Sequence, residues 1–219
     1  MNDQLILKFP THQAYKKEDF YVSPSNQKAY DFINSWPKWI KRIVNIFGPS
    51  ASGKSHLVSI LKRKTQCLLI DSSELNEKIF FKFKTKEALI IENLNEKISE
   101  KLLYSLWNVA LQDNKYLLIT STKPISTYKF KLPDLKSRAS SSLMIGINLP
   151  SDDLISVILA KNFSDKQIKV EKKHIDYIIK RIDRSYEKIS QFISILDKYS
   201  LKTSNPFSLK LIKEVLKMI

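Results

Sequence analysis

The 219-residue chain holds only three glycines, and two of them fall in one eight-residue window, Gly48-Pro49-Ser50-Ala51-Ser52-Gly53-Lys54-Ser55. The window satisfies G-x-x-x-x-G-K-S/T at every fixed position, the pattern of a phosphate-binding loop. Glycine lets the backbone turn tightly enough for successive N–H groups to face phosphate oxygens. In that arrangement Lys54 reaches the β- and γ-phosphates, the Ser55 hydroxyl holds Mg²⁺, and the following helix adds its positive N-terminal end. Gly48, Ser50, Ala51, Ser52, Gly53, Lys54, Ser55 and His56 are the candidate nucleotide-binding residues of this segment. The flanks agree with the pattern. Residues 43–47 read as a buried strand, and residues 56–64, with Leu57, Ile60 and Leu61 at helical spacing, as the helix that the loop opens.

The rest of the chain fits a sheet built around that loop. Apolar runs at residues 68–71, 88–92, 116–121 and 143–147 add four strands, and the run 88–92, third in chain order after 43–47, ends on the acid Glu92. A helix is expected at residues 99–113, where Leu102, Leu103, Leu106 and Ala110 share a face, and another near Tyr30, Phe32, Ile33 and Trp36. Strands alternating with helices imply an α/β fold with a mainly parallel, five-stranded sheet covered on both sides. After Pro150 no further strand is expected. Ser151 caps a helix with Asp152 and Asp153 in its first turn. Ile175, Ile178, Ile179 and Ile182 mark a second, and Tyr186, Ile189, Phe192, Ile193 and Leu196 a third. Asn205-Pro206 opens a fourth. The expected division is an extended arm at 1–15, an α/β nucleotide-binding domain at 16–149 and a small all-helical lid at 150–219.

Composition narrows the function classes. No apolar run is long enough to span a bilayer, and the N-terminus lacks a secretion-signal pattern, so a cytoplasmic location without membrane contact is expected. The single cysteine, Cys67, sits in an apolar run and is expected to be a reduced core residue. The three histidines make no metal-ligand spacing. Net charge is +15, which is compatible with direct DNA contact through a basic surface, but also with the lysine bias of an AT-rich genome. No basic run is interleaved with aromatics as a single-strand groove would need.

Around the loop, Glu92 is the candidate acid for orienting Mg²⁺, beside Ser55. Asn93 follows it where many ATPases have a second acid, and an amide takes up no proton at neutral pH, so nucleotide binding with slow hydrolysis is expected. Ser121, at the end of the fourth strand, is placed to meet a γ-phosphate or simply to close a strand–loop junction. Arg138 is a candidate finger reaching a nucleotide held by a neighbouring molecule, with a surface salt bridge as the alternative. Arg184 either folds back onto a phosphate or makes an Arg–Asp contact through Asp183.

Taken together, the phosphate loop, the acid-ended strand, the polar strand end, Pro133-Asp134-Leu135-Lys136-Ser137-Arg138 and Arg181-Ile182-Asp183-Arg184 resemble the DnaA/Hda family of AAA+ P-loop proteins. The resemblance spans nearly the whole chain. It is to the AAA+ module of the bacterial replication initiator DnaA, and more closely to its regulatory relative Hda. Residues 20–26 are similar to the family segment that packs around adenine, which makes Phe20, Val22 and Asn26 candidates there, although Ser23 stands where the family has glycine. Ile91-Glu92-Asn93 is similar to the Hda form of the second motif, with Glu92 in place of aspartate. Gln4-Leu5-Ile6-Leu7-Lys8-Phe9 resembles the peptide by which Hda proteins bind the DNA polymerase sliding clamp, with Gln4 in a small polar pocket and Leu7 and Phe9 in an apolar one. On this resemblance the sequence is expected to end with the lid and to lack the initiator's C-terminal DNA-binding domain.

The resemblance implies a regulator of replication initiation. It would carry ADP or ATP with Mg²⁺, bind the clamp's β subunit, and promote ATP hydrolysis by DnaA through Arg138 while Arg184 senses its own nucleotide. Whether it hydrolyses ATP itself is left open. The alternative is a DNA-binding AAA+ ATPase of the initiator or helicase-loader type.

Overall fold

The computed structural model describes residues 20–165, 170–203 and 208–219. The clamp-motif residues Gln4, Leu5, Leu7 and Phe9 and the Asn205-Pro206 helix start lie outside them.

Five strands form one parallel sheet: β1 (Ile43–Phe47), β2 (Cys67–Asp71), β3 (Ala88–Leu94), β4 (Tyr116–Ser121) and β5 (Leu143–Gly146), in the order β2-β3-β4-β1-β5. Each central strand is an apolar run of the kind a parallel sheet buried on both faces requires. Alternate residues serve opposite layers. Leu89, Ile91, Leu117 and Ile119 face helices α3 (Lys78–Lys84), α4 (Glu100–Gln112) and α5 (Pro133–Ser141). Val44, Ile46, Ile90, Leu118 and Ile145 face α1 (Gln27–Asn34) and α2 (Lys54–Lys62). Four further helices, α6 (Asp152–Asp165), α7 (Lys172–Ile179), α8 (Tyr186–Thr203) and α9 (Leu209–Leu216), bury a third apolar cluster around Leu159, Phe163, Ile178, Phe192 and Ile212. Leu154 and Tyr186 pack instead into the cluster under α1 and α2, which ties these helices to the sheet.

Several sequence expectations change. The loop's helix begins at Lys54 and ends at Lys62, because Gly53 is its N-cap. Strand β3 does not end on Glu92: it runs to Leu94 through a bulge at which Asn93 takes φ 57°. The short α3, with Ile79 and Phe83 buried one turn apart, fills a stretch left without an element. Arg138 lies in the last turn of a helix, α5, which starts at Pro133 and buries only Leu135 and Ala139. Helix α7 ends at Ile179, so Ile182 is buried from the turn that follows. Helix α9 begins at Leu209, with the Ser208 hydroxyl accepting from Leu211 N–H. Cys67 is half-buried at the edge of the core rather than inside it, on the outermost strand.

Candidate nucleotide-binding site

In parallel α/β sheets ligands settle outside the carboxyl ends of the strands, where the strand order reverses. Here that point is the end of β1, which lies between β4 and β5 while the chain crosses away to β2. The loop 48–53 leaves β1 there. Gly48 N–H donates to the Ser121 carbonyl at 3.1 Å and Ile147 N–H to that of Phe47 at 2.8 Å, so both neighbouring strands hold its root.

Two positions need glycine for identifiable reasons. A Cβ on Gly48 would sit 2.8 Å from the Ile147 carbonyl oxygen, a backbone atom with no rotamer to yield. Gly53 has φ +90°, left-handed, and a Cβ there would meet the Phe20 ring at 2.9 Å. Ala51 also takes a positive φ of 60°. This αL geometry at Ala51 and Gly53 turns the loop into the first turn of α2. Among the described residues, the amides of Ala51, Gly53, Lys54 and Ser55 make no hydrogen bond to protein, whereas Ser52 N–H is closed onto the Pro49 carbonyl at 3.3 Å. Backbone donors left unspent in a concave turn at a helix N-terminus are what an oxyanion cradle consists of.

Lys54 lies under this turn and is 8% exposed. Its ammonium donates to the carbonyls of Gly48 at 2.8 Å and Pro49 at 2.7 Å, with Ser52 Oγ at 3.5 Å. Burial pushes its pKa below the ordinary lysine value, and the Glu92 carboxylate partly offsets that shift. Glu92 itself has a buried Oε1 with no hydrogen-bond partner among the described residues. A buried carboxylate oxygen without a donor, in the field of the loop lysine, fits a cation or a water bound to one. The donor set therefore suits Mg²⁺ held by the Ser55 hydroxyl and Glu92, with a polyphosphate on the amides.

The other candidates divide. Phe20 packs over the loop, stacked on Tyr30 at 5.6 Å and edge-on to His56 at 5.2 Å, so Phe20, Gly53 and His56 form one wall. Val22 is half-buried beside it. The Asn26 amide is spent on its own segment: Oδ1 accepts from Ser23 N–H at 2.8 Å and Nδ2 donates to the Tyr21 carbonyl at 3.0 Å. Asn26 thus shapes the wall from behind. Ser25 Oγ lies 3.3 Å from the Tyr186 hydroxyl, a polar link between this wall and α8.

Ser121 is 1% exposed, and its hydroxyl is committed to the interior. It donates to the Lys123 carbonyl at 2.6 Å and accepts from Asn45 Nδ2 at 2.9 Å. Asn45, fully buried on β1, also donates to the Ile119 carbonyl and accepts from Ile125 N–H. Sequence reasoning missed this residue. Its one signal was a lone amide inside an apolar strand, a position that demands partners. Asn93 is turned away from the loop by its bulge, and its Nδ2 donates to Asp71 Oδ2 at 2.8 Å.

Arg184 pairs with Asp152 rather than Asp183, through Nε at 2.7 Å and Nη2 at 2.9 Å. The guanidinium holds the Asp152 carboxyl below the usual carboxylate range. Arg184 lines a small cleft with Asp152, Lys180 and Asp183. Arg138 is half-exposed, and its guanidinium lies over the Tyr104 ring at 5.0 Å; among the described residues it pairs with no acid. No group of three His, Cys, Asp or Glu side chains able to hold a metal ion occurs among the described residues, and none of their helices is long and apolar enough to cross a membrane.

No protein-family model matches the chain. It is 24% identical to the chromosomal replication initiator protein DnaA of Borreliella afzelii, over 94% of this chain and 48% of that protein. It is 25% identical to DnaA of Borrelia turicatae, over 93% and 48%. The chain thus spans about half the length of the curated relatives it matches. Among solved structures, domain III of the replication initiation protein DnaA from Thermotoga maritima matches with a TM-score of 0.74 at 17% identity, covering 96% of this chain and 98% of that one. A DnaA bound to AMPPCP and single-stranded DNA matches with a TM-score of 0.67 at 15% identity, covering 87% and 68%. The fold is the DnaA-like AAA+ α/β fold expected from the sequence, and the sequence similarity is to DnaA-type replication-initiation proteins.

Proposed function

We propose that the protein is a nucleotide-dependent regulator of replication initiation, which binds ADP or ATP with Mg²⁺ and acts on the ATPase of a DnaA-type partner. The observation that carries the nucleotide part is the cradle at residues 48–55: unspent amides, a buried ammonium and an orphaned Glu92 oxygen converge at the sheet's switch point. A DnaA neighbour of the same fold holds AMPPCP, which supports the same use of the site here. Gly48, Gly53 and the amides to Ser55 would hold the phosphates, and Phe20, Val22 and His56 would flank the base.

Slow turnover follows from where the bulge sets position 93, against Asp71 and aside from the loop, as well as from the amide it carries. Asn93 has no acid–base capacity and its amide is tied to Asp71, so no side chain at that position can activate water. The binding state, rather than hydrolysis, would then be the protein's own contribution. Arg138 supports action in trans: an arginine without an acidic partner among the described residues, held on an aromatic ring at the end of α5, is available to a phosphate supplied by another molecule. The arm 1–15 would tether the protein to the sliding clamp through Gln4, Leu5, Leu7 and Phe9, and residues 150–219 would act as the lid, with Arg184 exchanging Asp152 for a phosphate.

The test is single-turnover hydrolysis by ATP-loaded DnaA in the presence of clamp and DNA. The protein should accelerate it. Arg138→Ala should lose at least about tenfold of the stimulation while retaining nucleotide and clamp binding, and Gln4→Ala with Leu7→Ala should abolish clamp capture. Full stimulation by the Arg138 variant would remove the finger role, and unchanged clamp capture would remove the arm's.

A further inference from the structure

The edge of the sheet opposite the nucleotide loop carries a second polar groove that the reading above does not use. Lys86 and Glu87 precede β3, and Lys115 precedes Tyr116, the first residue of β4. Strands of five and six residues at about 3.3 Å each put this edge roughly 15 Å or more from the phosphate loop. The groove has a volume of about 960 Å³, near the top of the range for ligand clefts. Its lining includes Trp36, Lys64, Lys84, Lys86, Lys115 and Tyr116.

The lining is net positive. The lining carries four lysines against Glu87 and Asp113. Glu87 accepts from the Thr65 hydroxyl at 2.6 Å, which fixes its carboxylate without neutralising it. The Lys115 ammonium bonds only neutral acceptors, the carbonyls of Lys84 and Lys86 at 2.7 Å each, so it is fixed in place without being neutralised. Lys84 and Lys86 pair with no acid among the described residues. Arg42 adds a further cation at the rim, lying 4.8 Å over the Tyr116 ring and donating to the Asn114 carbonyl.

The aromatic side is equally built. Trp36 is half-exposed, and its ring meets Trp39 at 89° and Tyr116 at 70°. Both contacts are edge-to-face, so no ring among the described residues lies flat on the indole. Trp39 is itself pinned by a hydrogen bond from Nε1 to the Phe32 carbonyl at 2.9 Å. A half-exposed indole with no ring stacked flat on it, beside the fixed Lys115 ammonium and two lysines without an acid among the described residues, is the composition of a single-strand stacking platform. No single stretch of sequence announces it, because four separate segments supply the residues: 36–37, 64, 84–87 and 113–116.

We propose that this groove binds single-stranded nucleic acid, with phosphates on Lys84, Lys86 and Lys115 and a base against Trp36. The site is independent of the nucleotide cradle, so it stands or falls separately from the proposed function. The test is fluorescence anisotropy of the full chain with labelled oligomers of about 12 nucleotides, (dT) and (rU), and a duplex of matching length, at about 0.15 M salt. The informative variant is Lys84→Glu with Lys86→Glu. It leaves intact the backbone carbonyls that hold Lys115, and its thermal midpoint is checked against the parent. Lys210→Glu with Lys217→Glu, exposed on or next to α9, makes the same change in net charge elsewhere.

The expected result is single-strand binding in the micromolar range or tighter, weakened at least tenfold by the groove pair and less than threefold by the control pair. The salt slope should fall by about 1.4, at 0.7 per lost phosphate contact. Equal binding of DNA and RNA strands makes the platform sugar-blind, and a preference for either identifies the strand; both support the site. Absence of binding, equal losses in the two variant pairs, or a duplex that binds as tightly as the strands and is equally sensitive to the groove pair would overturn it.

Discussion

Gly53→Ala separates the two demands placed on this residue. The first is conformational. At φ +90° an L-residue pays about 1–2 kcal/mol relative to glycine. The second is steric. The new Cβ would lie 2.9 Å from Phe20 Cε2, against an optimum of about 3.5–4.0 Å, so the ring has to move by roughly 0.6–1 Å. Phe20 is stacked on Tyr30 and abuts His56, so that movement disturbs two further contacts and adds an overpacking cost of about 1 kcal/mol or more. The sum is about 2–4 kcal/mol, or roughly 4–16 °C in thermal midpoint at about 2–4 °C per kcal/mol for a chain of this size. Phe20→Ala in the same background removes the steric part only. Urea unfolding of the two single variants and the double variant should therefore show non-additivity, with the double variant about 1–2 kcal/mol more stable than the sum of the singles predicts. Strict additivity, with Gly53→Ala costing less than about 0.5 kcal/mol, would show that neither the left-handed turn nor the Phe20 contact is needed and would refute this account of the loop.

Further outcomes follow from individual contacts. Lys54→Met should abolish nucleotide binding without lowering stability at pH 7. Because burial depresses the folded pKa of Lys54, the unfolded chain binds the extra proton between that value and about 10.4, so the parent gains stability relative to the variant as pH rises through this window. Thermal midpoints of both proteins across pH 7–10.5 measure it, and a difference that does not change with pH contradicts it. Asn45→Ala should cost about 2–4 kcal/mol in urea unfolding, because it strands Ile125 N–H and removes the donors to Ile119 O and Ser121 Oγ. Asn93→Asp should not create an ATPase. It would set a second carboxylate where the amide now donates to Asp71 at 2.8 Å, so the expected result is unchanged turnover and a lower midpoint at neutral pH, recovered on acidification.

What was legible in the sequence was what is local. The phosphate loop is eight consecutive residues, and the strands are continuous apolar runs because both faces of the sheet are covered, so each announces itself. Helix α5 was not legible, because only Leu135 and Ala139 are buried and the polar remainder reads as a loop. Helix α3 is too short to show a period, with Phe80 and Phe81 blurring the Ile79–Phe83 repeat. The partners of single polar groups were the least accessible. Arg184 finds Asp152, 32 residues away, and Asn45 finds Ser121, 76 away, and no spacing rule anticipates such pairs. Glu92 is legible as an acid at a strand end and acts electrostatically on Lys54, but the bulge that turns Asn93 aside depends on β3 and β4 shifting register.

The most direct measurement is titration calorimetry of the full chain with ADP and with ATP, each with Mg²⁺, beside the Lys54→Met variant. Saturable binding at one site per chain, lost in the variant and weakened when Glu92→Gln removes the buried carboxylate, is the predicted result. A chain that takes up neither nucleotide, or a Lys54→Met variant that binds as tightly as the parent, would contradict the claim that residues 48–55 cradle a polyphosphate.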